Sequence, residues 1–397
     1  MELKLDADKW RKRRGMARVL RALGAAEGLT RYVGGAVRDD LLGLPVSDVD
    51  LATRLKPEDV VERLEASRIK AVPTGIDHGT VTAVSDGHPV EITTLRRDVS
   101  TDGRRATVAF TDDWKEDAAR RDFTINALSA DPNSGEIFDY FGGMQDLQGR
   151  HVRFIGEPLQ RIAEDHLRIL RFFRFHARFG EGEPDAAGLE ACTQRANDLM
   201  ALSRERIADE LLKLLAVPDP GPTVAVMLDH GILRPVLPEI ALERRTDLEA
   251  LVAAEGAAGI DPDPLRHLVA LLPRDPAIAQ DVAVRLKLSN RARKRVTCAA
   301  HTELESSTQA LAYRVGDACA ADRLLLAGNS DAAATIVHWK APKLPISGGA
   351  LIARGLPEGP IVAKTLRRIE DEWVEAGFPT GAQFDRIVAD ALIRSKD

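Results

Sequence analysis

Thr30-Arg-Tyr-Val-Gly-Gly-Ala-Val-Arg-Asp-Asp-Leu-Leu-Gly-Leu-Pro-Val-Ser-Asp-Val-Asp-Leu-Ala52 sets the organisation of the first part of this chain. The apolar run Thr30 to Val33 predicts a short strand that ends at Gly34-Gly35. Residues 36–42 then start a helix, which Gly43 and Pro45 stop. Residues 46–52 alternate apolar and acidic side chains, the period of a strand. Missing side chains at the glycine pair would let phosphate oxygens approach backbone N–H groups at a helix N-terminus, with Arg38 one turn in. Taken alone, the pair reads as readily as a structural turn. It is neither Gly-x-Gly-x-x-Gly nor Gly-x-x-x-x-Gly-Lys-Ser/Thr, which removes the dinucleotide-binding and Walker-type readings.

Asp48 and Asp50 lie two apart in the predicted strand, so both carboxylates emerge on one face. Acidic groups held that close repel unless a cation lies between them, and hard oxygen ligands favour Mg²⁺. Two-metal phosphoryl transfer uses such carboxylates to grip the attacking and leaving oxygens. Glu91, in Pro89-Val-Glu-Ile-Thr-Thr-Leu95, points away from Val90 and Ile92 and offers a third carboxylate, or else simply faces solvent.

Outward from this stretch, residues 8–28 read as one helix and residues 57–67 as an amphipathic helix with Pro57 near its start. Strands are expected at residues 70–72, 80–85 and 90–95, separated by Gly and Asp turns. After Gly142-Gly143 the pattern changes to Leu, Ala, Arg and Glu at helical spacing, interrupted by prolines such as those of Pro218-Asp-Pro-Gly-Pro222. The expected fold class is α+β: a head of mixed strands and helices, then an all-helical remainder.

The chain has 397 residues, 44% hydrophobic and 29% charged, the balance of a folded globular protein. Its net charge of −6 means that an RNA partner would need positive charge gathered on one surface. Arg11-Lys12-Arg13-Arg14 and the group Arg291, Arg293, Lys294 and Arg295 supply local clusters. Cys192, Cys298 and Cys319 are far apart without Cys-x-x-Cys pairing, which argues against zinc and against disulfides and favours a reducing, cytoplasmic setting. No apolar run approaches the roughly 18 residues of a membrane span, and the N-terminus lacks a secretory apolar region.

Two further segments carry chemistry. In Arg120-Arg-Asp-Phe-Thr-Ile-Asn-Ala127, Asp122 and Asn126 fall one helical turn apart and could bind ribose hydroxyls while Arg121 meets a phosphate; helix capping is the competing explanation. Glu164-Asp-His-Leu-Arg-Ile-Leu-Arg-Phe-Phe-Arg174 predicts one helix with Asp165 and Arg168 a turn apart and Arg171, Arg174 and Arg178 in a stripe beside them. A carboxylate beside a guanidinium can imitate a nucleobase edge. Asp165 would accept from the exocyclic amino group of cytosine or adenine, and Arg168 would donate to the ring nitrogen. Uracil and guanine present a carbonyl there and leave buried groups unpaired, a mode of rejection worth up to about 10⁴–10⁵.

Taken in order, these segments resemble the class II CCA tRNA nucleotidyltransferase and bacterial poly(A) polymerase family. Gly34-Gly-x-Val-Arg38-Asp39 with Asp48-x-Asp50 is similar to its catalytic motif, Arg120 to Ala127 to its ribose motif, and Asp139-Tyr-Phe-Gly-Gly143 to its head–neck hinge. Glu164-Asp165-x-x-Arg168-x-x-Arg171 resembles its base-reading motif and Arg204-Glu-Arg-Ile207 its helix-stabilising motif. The resemblance implies a polymerase-β-like head over residues 1–142, a neck that reads the base over 143–215, and a tRNA-binding body and tail over 216–397. It implies Mg²⁺ on Asp48 and Asp50, a triphosphate against Gly35, Arg38, Arg121, Arg171 and Arg174, and CTP and ATP as substrates added to the 3′ end of tRNA. A poly(A) polymerase or an A-only enzyme is the rival within the family. Thr74-Gly-Ile-Asp-His-Gly-Thr80 resembles the CCA branch, and the undeleted stretch of residues 96–116 disfavours a CC-only enzyme. From another class, a non-catalytic RNA-binding protein is opposed by the intact Asp48, Asp50, Asp165 and Arg168.

Overall fold

The protein is described from a computed structural model covering residues 5–102 and 105–395. The single helix expected over residues 8–28 is instead α1 (Ala7–Arg11) and α2 (Met16–Ala22), followed by a 3-10 turn at Ala25–Glu27. The break falls at Gly15, whose φ of +82° cannot continue a right-handed helix. Then come β1 (Thr30–Val33), α3 (Gly35–Leu41), β2 (Asp50–Thr53), α4 (Pro57–Ala66), β3 (Lys70–Gly75), β4 (Thr80–Ser85) and β5 (His88–Thr94). The strand expected over residues 46–52 begins only at Asp50. Val33, the last residue of β1, is the partner of Asp50, so the preceding residues have no strand to pair with.

The main sheet has the order β3-β4-β5-β2-β1-β8-β9, closed on one side by the short strands β8 (Ser129–Ala130) and β9 (Ile137–Phe138). Among the described residues, only β2 and β5 pair in parallel. Leu51 stands opposite Ile92, so one step back along this pair sets Asp50 beside Glu91. Strands β6 (Arg96–Asp102) and β7 (Arg105–Phe110) form a separate hairpin, and α5 (Trp114–Ala119) comes after it. Val33, Ala52, Leu95 and Trp114 pack together beneath the sheet, and the Arg31 guanidinium lies 4.2 Å from the Trp114 ring centre.

Helices α6 (Gly143–Gln148), α7 (Pro158–Glu164), α8 (Arg168–Phe179), α9 (Ala186–Gln194) and α10 (Arg204–Leu215) come next. The run 164–174 is therefore not one helix. Asp165 is extended, with φ −152° and ψ 106°, and its side chain accepts from the Leu167 N–H at 3.1 Å while its carbonyl accepts from Arg168. An aspartate able to cap the next turn with its own side chain ends one helix and starts another. The apolar face of α8 buries Phe172 against Phe123 and Phe154 and Phe175 against Phe123, with ring centres 5.2–6.3 Å apart. The expected helical turn from Asp122 to Asn126 is also corrected: Phe123 is extended and only Thr124–Asn126 forms a 3-10 turn.

The chain divides into two compact units. The first runs to Glu210 and takes in His230–Val236; the second comprises Leu211–Asp229 and Leu237–Asp397. The second is all-helical: α11 (Gly221–Asp229), α12 (Arg244–Ala258), α13 (Pro264–Leu271), α14 (Pro276–Arg285), α15 (Asn290–Ala299), α16 (Thr308–Val315), α17 (Asp317–Leu326), α18 (Ser330–Ile336), α19 (Gly348–Ala353), α20 (Pro360–Glu375) and α21 (Ala382–Ile393). Leu351, Ile369, Trp373 and Val388 form one of its cores, and Val269, Ala283, Val296 and Ala300 another. The expectation of unpaired cysteines is overturned: Cys298 of α15 and Cys319 of α17 form a disulfide, Cα atoms 6.2 Å apart, because the two helices pack side by side. Cys192 remains a free, buried thiol. Among the described residues, no helix is long and apolar enough to cross a membrane.

Candidate active site

A cavity of about 470 Å³ in the first unit gathers residues from three stretches of the sequence. Gly34 and Gly35 form its floor where β1 turns into α3. Gly34 has φ +71°, a conformation that favours glycine, and a Cβ there would lie 2.8 Å from Nη1 of Arg121, which would have to shift. Arg38, almost fully buried one turn into α3, donates from Nε to Asp39 at 2.8 Å and from Nη1 to the Asn126 side-chain oxygen. Its guanidinium sits 4.1 Å from the Phe179 ring centre. Burial lowers the Arg38 pKa despite the opposing charge of Asp39. A cation lacking water in this way gains from an incoming phosphate.

Asp122 is the hub of the opposite wall. Its Oδ1 accepts from the Phe123 N–H and from Asn126 Nδ2, both at 2.9 Å, and its Oδ2 accepts from Arg171 Nε at 2.7 Å. Burial acts to raise its pKa, but Arg171 and these hydrogen bonds prevail and hold it below the usual carboxylate range. Arg121 reaches the Asn126 carbonyl at 3.3 Å, and burial, opposed by Asp117, lowers its pKa.

Asp165 and Arg168 line the same cavity even though the helix between them is broken. Each is held by a partner. Nη2 of Arg206 lies 3.1 and 2.9 Å from the two Asp165 carboxylate oxygens. Nη1 of Arg168 donates to Glu164 at 2.6 Å and to the Arg161 carbonyl at 2.8 Å. Arg174 does not line the cavity: it pairs with Glu210 and stands 4.3 Å from the Phe175 ring centre. Arg178 forms a half-exposed ion pair with Asp39 at 3.5 Å. Sequence reasoning missed Phe175, and it placed Arg206 only within the helix-stabilising motif Arg204–Ile207 without its partner. Phe175 falls one turn beyond Arg171, a signal that was present; the pairing of Arg206 with Asp165 carried none, since it spans 41 residues.

A second cavity of about 750 Å³ is lined by Asp48, Asp50 and Glu91 together with Arg13, Arg14 and His88. Asp48 comes from the loop and Asp50 from the first position of β2, while Glu91 is the outward residue between buried Val90 and Ile92. Ser47 Oγ donates to Asp48 at 3.0 Å. Removal from water, then the charges of Glu91 and Asp48, raise the Asp50 pKa, with Arg121 opposing. Among the described residues no three His, Cys, Asp or Glu side chains stand close enough to hold a metal as placed. The donor set nonetheless fits a hard divalent cation, whose charge would relieve the repulsion that Asp50 experiences.

The profile described as Poly A polymerase head domain matches residues 30–153, and that described as probable RNA and SrmB-binding site of polymerase A matches residues 184–243. Mitochondrial CCA tRNA nucleotidyltransferase 1 of Mus musculus is 34% identical over 367 residues, 88% of this chain and 83% of that protein. The chain belongs to the CCA tRNA nucleotidyltransferase family. The CCA-adding enzyme of Lacticaseibacillus paracasei is 31% identical, over 91% of this chain and 92% of its own. The CTP complex of the Bacillus stearothermophilus CCA-adding enzyme superposes with a TM-score of 0.69 at 25% identity, covering 96% of this chain and 99% of that one. The Thermotoga maritima CCA-adding enzyme complexed with tRNA shares the fold at a TM-score of 0.67 and 20% identity. A polymerase-β-like head followed along the chain by helical domains, the expected α+β class, is thus the architecture of this nucleotidyltransferase.

Proposed function

We propose that this chain adds C, C and A to the 3′ end of tRNA from CTP and ATP, without a nucleic-acid template and with release of pyrophosphate. The observation that carries the reading is the cavity that brings Asp165 and Arg168 together with Arg38, Arg121 and Arg171, beside the carboxylates of Asp48, Asp50 and Glu91. Relatives similar over most of their length are named CCA tRNA nucleotidyltransferase 1 and CCA-adding enzyme. The head, neck, and body with tail are assigned to residues 1–142, 143–215 and 216–397, the last for tRNA.

In this reading Asp48 and Asp50 hold Mg²⁺, with Glu91 beside them. The bound cation supplies activation of the RNA 3′-hydroxyl and charge neutralisation at the phosphates. Gly35 presents a bare backbone to the triphosphate, while Arg38 and Arg121, short of water, bind its oxygens. Asp122 and Asn126 orient the ribose and at the same time fix Arg171 and Arg38. Glu164 and Arg206 clamp the base-reading pair: a guanidinium and a carboxylate already anchored lose little freedom when cytosine or adenine arrives. Arg174, paired with Glu210, serves the phosphate only if that pair opens. The reaction is placed in the cytoplasm, where tRNA, CTP and ATP meet; the cysteine argument for that compartment falls with the disulfide.

The test gives purified protein three tRNAs, ending before the first C, after one C and after CC, with each nucleoside triphosphate separately and together. Addition that stops after CCA is expected. Long A tails, or extension of the CC end alone, would replace this reading with a poly(A) polymerase or an A-only enzyme.

A further inference from the structure

The segment between α3 and β2 carries Asp48 but forms no regular structure over residues 44–49. A side chain on such a segment is held still only if the backbone beneath it is held. The two carbonyls that precede Asp48 are gripped from 33 and 34 residues away. Arg13 donates from Nη2 to the Val46 oxygen at 2.6 Å and from Nη1 to the Ser47 oxygen at 2.7 Å. The Ser47 carbonyl shares a rigid plane with the Asp48 amide, so this grip fixes the direction in which Asp48 leaves the chain.

Arg13 is itself anchored. Trp10, fully buried, meets Tyr32 of β1 edge-on with ring centres 4.9 Å apart. The Arg13 N–H donates to the Trp10 carbonyl at 3.0 Å, and its carbonyl accepts from Met16 at 3.1 Å. Two residues on, a Cβ at Gly15 would lie 2.5 Å from the Ser85 carbonyl, so the backbone rests directly on the end of β4. Ser85 opposes His88 in the register that places Glu91 on β5. One N-terminal segment therefore touches the loop that presents Asp48 and the strand β4 that pairs with the strand of Glu91.

We propose that Arg13 is a positioning residue for the cation site, bracing the Val46 and Ser47 carbonyls so that Asp48 meets the cation beside Asp50 and Glu91. The proposal rests on the nucleotidyl transfer proposed above. It predicts an effect opposite in sign to simple electrostatics. Arg13 lines the carboxylate cavity, and removing a positive charge there should by Coulomb's law alone tighten cation binding. Loss of the brace should weaken it, as loss of groups that orient metal ligands does by about 10–100-fold.

Mn²⁺ binding to the full chain without nucleotide, followed by the electron paramagnetic resonance of free Mn²⁺, reads this directly. Asp50→Asn must abolish the high-affinity site, which ties the signal to these carboxylates. Arg13→Ala is expected to weaken Mn²⁺ by about tenfold. Arg13→Lys keeps the charge, loses the two-pronged grip, and should weaken it by about threefold. Arg14→Ala removes an equal charge from the same cavity and should leave affinity unchanged or tighter. CTP binding without metal should stay within about twofold in Arg13→Ala, because the nucleotide cavity is untouched. Wild-type or tighter Mn²⁺ affinity in Arg13→Ala overturns the proposal, as does a parallel loss of CTP affinity and thermal stability. Should Arg13→Ala not fold, Arg13→Lys carries the test on the same terms. A wild-type protein that binds Mn²⁺ through Asp50 yet adds nothing to tRNA would overturn the proposed function and leave the brace standing.

Discussion

Asp50, proposed above to hold the cation, carries an electrostatic cost in the metal-free fold. Its folded-state pKa is raised, so the metal-free fold binds its proton more readily than the unfolded chain does. That contribution to stability is full below the carboxylate range and is lost as pH rises through the raised value. At neutral pH the ionised group opposes folding, so Asp50→Asn should raise the Tm of metal-free protein while lowering nucleotide addition by about 10³-fold or more. A Tm that fell at neutral pH, or that rose equally at pH 3, would contradict this account. Asp165 is the matching test of specificity. Asp165→Ala removes the proposed acceptor for the exocyclic amino group and also frees Arg206. The ratio of C and A incorporation to U and G incorporation should fall by about tenfold or more; unchanged selectivity would remove Asp165 from base reading.

The join between α7 and α8 is where helical periodicity misleads. Residues 158–179 have helix-forming composition almost throughout, yet Asp165 interrupts them with an extended backbone and a side chain that accepts from the Leu167 N–H just ahead of α8. The break lets the Glu164 and Asp165 carboxylates find different arginines, Arg168 and Arg206, which a continuous helix would not require. Close backbone contact is the other device for fixing elements. Gly143, at the start of α6, lies so near the 3-10 turn at Thr124–Asn126 that a Cβ would come within 2.2 Å of the Thr124 carbonyl. Gly143→Ala should therefore destabilise the fold by about 1–3 kcal/mol and shift the Asn126 region, read by denaturation together with CTP affinity. Neutral behaviour in both measurements would show that the contact is readily relieved.

The second unit is stabilised by features that carry no catalytic chemistry. Its buried charge cluster joins Arg266 to Asp322 at 2.8 Å and to Glu255, with Arg295 bridging Asp322 and Asp263 at 2.7 Å each. Arg266→Met would take one partner from each of the almost fully buried Glu255 and Asp322, which keep His267 and Arg295, and should cost about 1–3 kcal/mol in denaturant unfolding. The disulfide closes a loop across a sequence separation of 21, so reduction or Cys298→Ser should cost about 3 kcal/mol. Calorimetry with and without reductant checks this; an unmoved transition would mean that helix packing alone holds α15 to α17.

Much of the outline was legible from the chain alone. The strand–glycine pair–helix sequence around Gly34, the spacing of Asp48 and Asp50, the outward phase of Glu91 and the switch to helices after Gly143 are local patterns, and local patterns survive in the sequence. Even the corrected breaks at Gly15 and Asp165 involve residue types that favour turns and caps. What the sequence could not determine was which distant groups face one another. Arg13 reaches Val46 and Ser47, Arg206 reaches Asp165, Arg171 reaches Asp122, and Cys298 reaches Cys319. Each pairing depends on how whole elements pack, and no periodicity records it. The sequence by itself determined the chemistry available to this protein. The tertiary structure decided which groups act together, because packing alone brings a guanidinium to within about 3 Å of a carboxylate or carbonyl tens of residues away.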